Sequence, residues 1–166
     1  IFTRPVLQQQ RNSEAMKETI ADLLEGLHPF QDFSYPELEV VARYQMPQEA
    51  KKGEVIFSEG DPGSFMLILV KGSMAIYKGG EHGQQLLSYE GKGRIVGEMS
   101  LLDHERRSAT CIADSDCEYL MFNSEGLKRL VSEYPALAYR FMFCLAQLLS
   151  RRLRRTSGMM ADFLGE

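Results

Sequence analysis

The spacing of apolar residues predicts helices at both ends of the chain and short strands between them. Between residues 13 and 50, two apolar sets recur three or four positions apart, as on one face of a helix. Ser13 can cap the first helix, which Pro29 is expected to end, and Ser34 can begin the second, with Pro36 in its first turn. The two sets are Met16, Ile20, Leu23, Leu24 and Leu27, and then Leu38, Val41 and Tyr44.

From Lys52 onward, short apolar runs alternate with glycine-rich turns such as Gly60-Asp61-Pro62-Gly63. The flanking turn residues favour strands over buried helices for these runs. Many short strands with regular turns are typical of an antiparallel barrel or jelly roll. The runs cover residues 55–57, 65–70, 74–77, 85–89, 108–113 and 118–122.

Helical spacing returns at Ser124 and predicts a helix that breaks before Pro135, followed by a long last helix from about Ala136 into the 150s. Their apolar positions are Leu127, Leu130 and Val131, and then Leu137, Phe141, Leu145 and Leu148. Helices, a β-roll and further helices define an α+β class without internal repeats. The predicted segments are a loose lead-in (1–12), N-terminal helices (13–50), the roll (51–123), C-terminal helices (124–158) and a tail (159–166).

Composition and charge narrow the class of protein. With 44% hydrophobic and 25% charged residues, the chain has the composition of a soluble globular protein. Its net charge of -4 argues against general attraction to nucleic acid or an anionic membrane, and no apolar run is long enough to span a bilayer. The first residues do not show a charged-then-apolar pattern, so we expect that the protein is not secreted. The three cysteines lack metal-ligand spacing and suit a reducing compartment, which predicts a cytoplasmic protein.

Candidate chemistry is concentrated in residues 96–110, called the binding segment below. Gly97 permits a close backbone approach, and the residues after Glu98 can form one helical turn whose free N–H groups favour an anion. Arg107, nine residues after Glu98, offers a planar fork for two phosphate oxygens, and Ser108 adds a hydroxyl donor. These residues predict a receptor for one singly charged phosphate with a neighbouring hydroxyl.

Each of these residues also has a simpler explanation when it is taken alone. A Gly-Glu pair is a common turn, and an arginine near a strand end is usually a solvated surface residue.

An enzyme on a cupin-like barrel would need clustered metal ligands, but His28, His82 and His104 are scattered and form no His-x-His motif. We therefore expect no metal site, no catalytic residues and no enzyme activity.

Three ordered motifs give the chain a resemblance to a known family. They are Gly53-Glu54-Val55-Ile56-Phe57-Ser58-Glu59-Gly60-Asp61, Val70-Lys71-Gly72-Ser73, and Gly97-Glu98-Met99-Ser100-Leu101-Leu102 with Arg107-Ser108-Ala109-Thr110. Over roughly residues 24–157, the chain resembles the cyclic-nucleotide-binding domains of bacterial catabolite activators, protein kinase A regulatory subunits and cyclic-nucleotide-gated channels. The resemblance implies an eight-stranded, jelly-roll-like antiparallel β-roll between N-terminal helices and a long C-terminal helix.

The resemblance also implies a role for each matching residue. Glu98 accepts a hydrogen bond from the ribose 2′-hydroxyl, and Arg107 pairs with the cyclic phosphate. Met74 and Met99 are candidates to line the base or sugar pocket. Ser108 and backbone N–H groups complete the phosphate cradle. The implied nucleotide-binding set is Val96, Gly97, Glu98, Met99, Ser100, Arg107, Ser108 and Ala109.

Two positions depart from the family pattern. Val96 stands where the family usually has Phe before Gly-Glu, and Arg106 stands where Pro often precedes the phosphate-binding arginine. Because proline stiffens a backbone, its replacement predicts a looser loop here. Arg106 also adds a second positive charge to this loop.

The stretch Arg151-Arg152-Leu153-Arg154-Arg155-Thr156-Ser157 resembles the segment of bacterial catabolite activators whose Thr and Ser contact adenine, partly across a dimer. Here it lies four residues farther from the preceding proline, about one helical turn. The base contact is therefore open between Arg152, Thr156 and Ser157. The arginines also suit a solvated helix end, a DNA-binding patch, or a basophilic kinase site at Arg154-Arg155-Thr156-Ser157.

The expected function is a non-catalytic module that senses a cyclic nucleotide, with cAMP as the expected ligand and cGMP as the alternative. Ser108 does not impose cGMP selectivity, since cGMP-selective relatives more often have Thr there. Occupancy is expected to move the last helix and so to control a partner protein or a missing effector domain. The apolar stripe of this helix predicts a homodimer or, alternatively, packing on the roll. No helix-turn-helix precedes Glu166. One alternative is therefore the ligand domain of a transcription regulator, cut before its DNA-binding domain. A second alternative is a degenerate interaction domain that binds another small phosphate ligand.

Overall fold

A computed structural model describes residues 20–165 of the chain. The predicted lead-in, the Ser13 cap and Met16 lie outside the described residues. The chain divides into two compact units between Lys128 and Arg129. Within residues 20–165, no helix combines the length and the apolar character needed to cross a membrane.

Short helical elements precede the strands in the first unit. They are the described part of helix α1 (residues 20–25), a 3₁₀ turn (His28–Phe30) and helix α2 (Tyr35–Ala42). Ser34 caps α2 as predicted, because its hydroxyl accepts from the Glu37 N–H at 3.4 Å and the Glu37 carboxylate accepts from the Ser34 N–H at 3.0 Å. Pro29 does not end α1, which stops earlier. It lies in the first turn of the 3₁₀ segment, where a missing N–H costs nothing.

The described residues contain two four-stranded antiparallel sheets, with strand orders β1-β8-β3-β6 and β2-β7-β4-β5. A short helix, α3 (Glu98–Asp103), lies between β6 and β7. This arrangement confirms the predicted eight-stranded roll. The strands are β1 (Met46–Ala50), β2 (Val55–Phe57), β3 (Phe65–Lys71), β4 (Met74–Gly80), β5 (Gly83–Glu90), β6 (Ile95–Val96), β7 (Thr110–Ala113) and β8 (Cys117–Asn123).

Two strands, β1 and β6, do not correspond to any apolar run in the sequence. Strand β1 begins at Met46, so the roll starts before residue 51 and the predicted boundary is corrected. As an edge strand paired with β8 alone, β1 tolerates Pro47 and exposed polar residues. Strand β6 has only two residues, which is too short to show a pattern.

A core of buried residues lies between the two sheets and includes inward side chains of both. On β3, Leu67 and Leu69 face this core, while Met66 and Ile68 alternate to the other face. All four are fully buried, so both faces of β3 are covered. The buried cluster between the sheets contains Ala50, Leu67, Leu69, Met74, Val96, Cys111, Ala113 and Cys117.

Two helices close the chain: α4 (Ser124–Glu133) and α5 (Pro135–Leu164), which confirms the predicted break before Pro135. Helix α5 is 30 residues long and includes residues 159–164, which were predicted as a tail. No proline interrupts it, and a single glycine at 158 costs a helix only about 1 kcal/mol. Its buried residues are Leu137, Ala138, Phe141 and Leu145. On α4, Leu130 is buried but Val131 is 49% exposed, so Val131 is not part of the buried face.

Candidate functional site

The binding segment turns sharply at Gly97, between β6 and α3. Gly97 has a φ of +80°, in the left-handed region that glycine adopts without strain. A Cβ atom at this position would lie 2.6 Å from Nη1 of Arg107 and 3.3 Å from the carbonyl oxygen of Phe65. Glycine is therefore required both by the backbone angle and by the neighbouring guanidinium. Helix α3 begins at the next residue, which confirms the predicted helical turn.

The Arg107 side chain is buried, with only 3% of its surface exposed. Its Nη1 donates to the Gly97 carbonyl at 3.0 Å, and its Nη2 donates to the Phe65 carbonyl at 2.7 Å. The guanidinium carbon lies 4.1 Å from the centre of the Phe57 ring and 4.5 Å from the centre of the Phe65 ring. At these distances an aromatic face attracts a cation. Two carbonyls and two rings thus hold the guanidinium in one orientation.

One nitrogen of this guanidinium has no partner. Although it is buried, Nε of Arg107 makes no hydrogen bond within residues 20–165. A buried N–H without an acceptor costs free energy, so it marks a place where a ligand or an ordered water is expected. Burial lowers the pKa of Arg107, and the carboxylates of Asp61 and Glu98 act in the opposite direction. The pKa of arginine is so high that the side chain stays protonated.

Glu98 lies in the first turn of α3 and is 3% exposed. A buried carboxylate is retained in a fold only where donors or cations surround it. Gly97 links Arg107 with Glu98, the residues predicted to bind the phosphate and the ribose. Its carbonyl accepts a hydrogen bond from Arg107, and Glu98 is the next residue in the chain. The structure therefore brings the predicted phosphate-binding and ribose-binding residues together.

The loop between β2 and β3 binds the segment through its backbone. The Gly60 N–H donates to the Arg107 carbonyl at 2.9 Å, and the Arg107 N–H donates to the Asp61 carbonyl at 2.8 Å. Arg106 forms a β-bridge with Pro62, and its Nη1 donates to the Gly60 carbonyl at 2.8 Å. The Arg106 side chain thus supplies a hydrogen bond that a proline could not, and the looser loop expected from the missing proline stays a prediction.

Several contributors to this site have no functional signal in the sequence. A Cβ atom at Gly63 would collide with the Ser100 side chain and lie 3.1 Å from Nε of Arg107. Gly63 therefore keeps the loop close to the buried Ser100 and the free nitrogen. In the sequence, Gly63 is only part of a turn motif, and Phe57 and Phe65 are only strand residues.

Ser108 and Met99 form an exposed part of the binding segment. The Ser108 hydroxyl lies 3.9 Å from the Met99 sulfur, and Met99 is 48% exposed. Ala109, which follows, is half-buried. The Ser108 carbonyl accepts from Nζ of Lys78 at 2.7 Å, a contact that the sequence did not predict.

Met74 and Val96 lie in the core instead of on an open surface. Met74 is fully buried, and its sulfur lies 3.5 Å from the Cys111 sulfur. Met74 therefore offers no surface to a ligand, and its predicted place in the base or sugar pocket is not supported. Burial, with Cys117 acting in the same direction, raises the pKa of the Cys111 thiol to about 12. This thiol stays protonated and unreactive at neutral pH.

The three candidates for the base contact lie on α5, in the second unit. Arg152 is half-buried, whereas Thr156 and Ser157 are exposed. The Thr156 hydroxyl donates to the Arg152 carbonyl, one turn earlier, at 2.9 Å. Contact between any of these residues and a base stays a prediction.

The chemistry around Arg107 is that of an anion receptor. The Arg107 guanidinium is buried and held in one orientation, and its Nε is a free donor. The buried Glu98 carboxylate directly follows Gly97, whose carbonyl holds the guanidinium. In the part of the chain that the structure describes, no group of three or more His, Cys, Asp or Glu side chains is arranged to hold a metal ion.

The sequence model of the cyclic nucleotide-binding domain matches residues 47–134. This range includes the roll from its first strand onward and the whole binding segment. The chain therefore belongs to the cyclic nucleotide-binding domain family.

Individual relatives agree with this family. The chain is 32% identical to the cyclic AMP receptor protein of Thermus thermophilus over 132 residues, which are 79% of this chain and 59% of that protein. It is 38% identical over 93 residues to a cAMP-dependent protein kinase regulatory subunit of Hypocrea atroviridis, covering 56% of this chain and 19% of that one. A solved cyclic nucleotide-binding domain from Methylobacillus flagellatus matches with a TM-score of 0.79 at 28% identity, covering 90% and 84% of the two chains. The chain thus spans about three fifths of the receptor protein's length.

Gly97→Ala should lower the free energy of unfolding more than Gly53→Ala. Both glycines have positive φ, +80° and +90°, so each alanine costs about 1–2 kcal/mol of backbone strain. A Cβ atom at Gly53 meets nothing within 4 Å, whereas one at Gly97 collides with the Arg107 guanidinium. We expect the excess loss at Gly97 to be at least about 1 kcal/mol by urea denaturation. Equal losses would show that the guanidinium does not pack against Gly97.

Proposed function

We propose that this chain is a non-catalytic regulatory module that binds cAMP at the binding segment and passes on its occupancy through α5. The observation that carries the proposal is the free Nε on the buried Arg107 guanidinium. We propose that a phosphate oxygen accepts from this nitrogen when the ligand binds, which would leave the bonds to the Gly97 and Phe65 carbonyls in place. Similarity to a cyclic AMP receptor protein and to a cAMP-dependent kinase subunit supports cAMP as the ligand.

Pre-organisation of Arg107 favours a ligand with a single negative charge. The guanidinium is already out of water and already oriented, so binding does not have to desolvate or order it again. A cyclic phosphodiester carries one negative charge and matches one buried cation. The buried Glu98 beside it is proposed to accept a hydrogen bond from the ribose 2′-hydroxyl.

Arg107→Ala should weaken cAMP binding by at least about tenfold, or about 1.4 kcal/mol, because the phosphate loses its buried partner. Isothermal titration calorimetry with cAMP, and with cGMP in parallel, measures the effect. Arg94→Ala is the matched control, since Arg94 is an exposed arginine whose Nε lies 3.5 Å from the Glu90 carboxylate. Unchanged affinity in Arg107→Ala would exclude the proposed phosphate site.

A second prediction concerns the sugar. The 2′-deoxy analogue of cAMP should bind more weakly than cAMP by about 1–3 kcal/mol, because the buried Glu98 carboxylate would lose its donor. Glu98→Ala should bind the two ligands with similar affinity. If the unaltered protein does not distinguish them, Glu98 does not contact the 2′-hydroxyl.

Helix α5 carries a pattern that supports a homodimer. Along it, positions spaced alternately four and three apart form the 3.5-residue repeat of a coiled-coil seam. These positions are Met142, Ala146, Leu149, Leu153, Thr156, Met160 and Phe163. Leu153 is 68% exposed, Met160 61% and Phe163 77%, so the same helix of a second copy would remove apolar surface from water.

The charges of α5 are compatible with this seam. Arg151, Arg154 and Arg155 occupy positions off the seam, so like charges do not face each other across it. Thr156 is a seam position and Ser157 follows it. The proposed dimer therefore brings both hydroxyls to the boundary between copies, where the predicted base contact would be made.

Leu153→Glu should convert the dimer to a monomer, because it places two like charges opposite each other in the seam. Arg155→Glu is the control, since it changes charge on the same turn but off the seam. Analytical ultracentrifugation with and without cAMP measures the oligomeric state. A monomeric unaltered protein, or a dimer that survives Leu153→Glu, would contradict the α5 seam.

A further inference from the structure

Lys78 lies one residue beyond the point where β4 and β7 stop pairing. The last pair between these strands is Tyr77 with Thr110. Past this pair, the backbone of Arg107 is bonded to the β2–β3 loop instead. The Ser108 carbonyl lies in the gap, and Nζ of Lys78 donates to it at 2.7 Å. A side chain thus supplies the hydrogen bond that a strand partner would otherwise give.

Glu59 holds Lys78 in this position. Its Oε1 lies 3.0 Å from Nζ of Lys78, and its Oε2 accepts from the Gly79 N–H at 2.8 Å. Its own N–H donates to the Thr110 hydroxyl at 2.9 Å. The bonds from Gly79 and Lys78 lower the pKa of the Glu59 carboxyl, so it is ionised at neutral pH. One glutamate therefore ties β4, the β2–β3 loop and the start of β7 together.

The bond from Lys78 also determines the direction of the next N–H in the chain. In a planar trans peptide, the C=O of one residue and the N–H of the next point in opposite directions. Holding the Ser108 carbonyl on Lys78 therefore turns the Ala109 N–H to the opposite side. This N–H has no acceptor within residues 20–165. A charged donor on the carbonyl also polarises the peptide and strengthens its N–H as a donor.

We infer that Lys78, held by Glu59, is a positioning residue that orients the Ser108–Ala109 peptide so that the Ala109 N–H is presented to the phosphate of the nucleotide. The inference rests on the proposed function, because it adds a residue to that same site. The side chains of Lys78 and Glu59 are 48% and 31% exposed. Ion pairs with this much exposure add little to fold stability, so loss of the fold would not explain a change in affinity when this pair is broken.

The first test compares variants of Lys78 by calorimetry with cAMP. Lys78→Met should weaken binding by at least about fivefold, because the peptide loses a charged hydrogen bond. Lys78→Arg should recover part of the loss, since a guanidinium can donate to both acceptors. The matched control is Lys71→Met, which breaks another exposed ion pair, between Lys71 and Glu118 at 3.6 Å, and should leave the affinity unchanged.

Glu59→Gln separates positioning from attraction between charges. If the pair acted only through its electric field, removing a negative charge near an anion site would tighten binding. Positioning predicts weaker binding instead. It also predicts no further loss when Glu59→Gln is added to Lys78→Met, because Glu59 acts through Lys78. Unchanged or tighter binding in Glu59→Gln would overturn the inference.

The amide resonance of Ala109 in the ligand-free protein gives a readout that does not depend on binding. Its chemical shift should change in Lys78→Met and stay the same in Lys71→Met. A resonance unaffected by Lys78→Met overturns the inference. Unaltered protein that binds no cAMP overturns the proposed function and the inference with it. Binding by the unaltered protein that Lys78→Met leaves unchanged overturns the inference alone.

Discussion

The burial of one guanidinium organises the binding end of this roll. A cation taken out of water is costly unless its surroundings satisfy it, and Arg107 is satisfied by the Gly97 and Phe65 carbonyls and by two aromatic rings. These bonds join the end of β6, the start of β3 and the binding segment. At Gly97 the guanidinium leaves no room for a side chain, and at Gly63 the Ser100 side chain, with Nε of Arg107 behind it, does the same. Anion recognition thus depends on how the fold buries and orients the Arg107 guanidinium.

Much of the architecture could be predicted from the sequence, because it depends on local patterns. The capping box at Ser34, the strands of the roll with apolar runs, and the break before Pro135 all have short-range signals. Strand β1 was not predicted, since an edge strand needs little apolar character and even admits a proline. The end of α5 was not predicted from the apolar stripe that ends at Leu148, although Met160 and Phe163 continue a 3.5-residue repeat through residues 159–164.

The residues of the candidate site also include some that the sequence could predict and some that it could not. Gly97, Glu98 and Arg107 could be found because their side chains, or the lack of one, carry the chemistry. Phe57 and Phe65 could not, since an aromatic residue at a strand end looks like any other core residue until the tertiary structure places a cation between the rings. At Arg106 the sequence showed the missing proline, but not the hydrogen bond that the long side chain makes to the Gly60 carbonyl in its place.

Both oxygen atoms that anchor Arg107 belong to the main chain. No amino-acid substitution at position 65 or 97 deletes a carbonyl, so these two acceptors are insensitive to mutation in a way that a carboxylate partner would not be. Position 97 is restricted for a different reason, its φ of +80°, whereas the Phe65 ring covers the cation and also packs against Phe57 and the core of the roll. The arginine can therefore keep its orientation while the side chains around it change, and a comparison of sequences would not reveal what holds it.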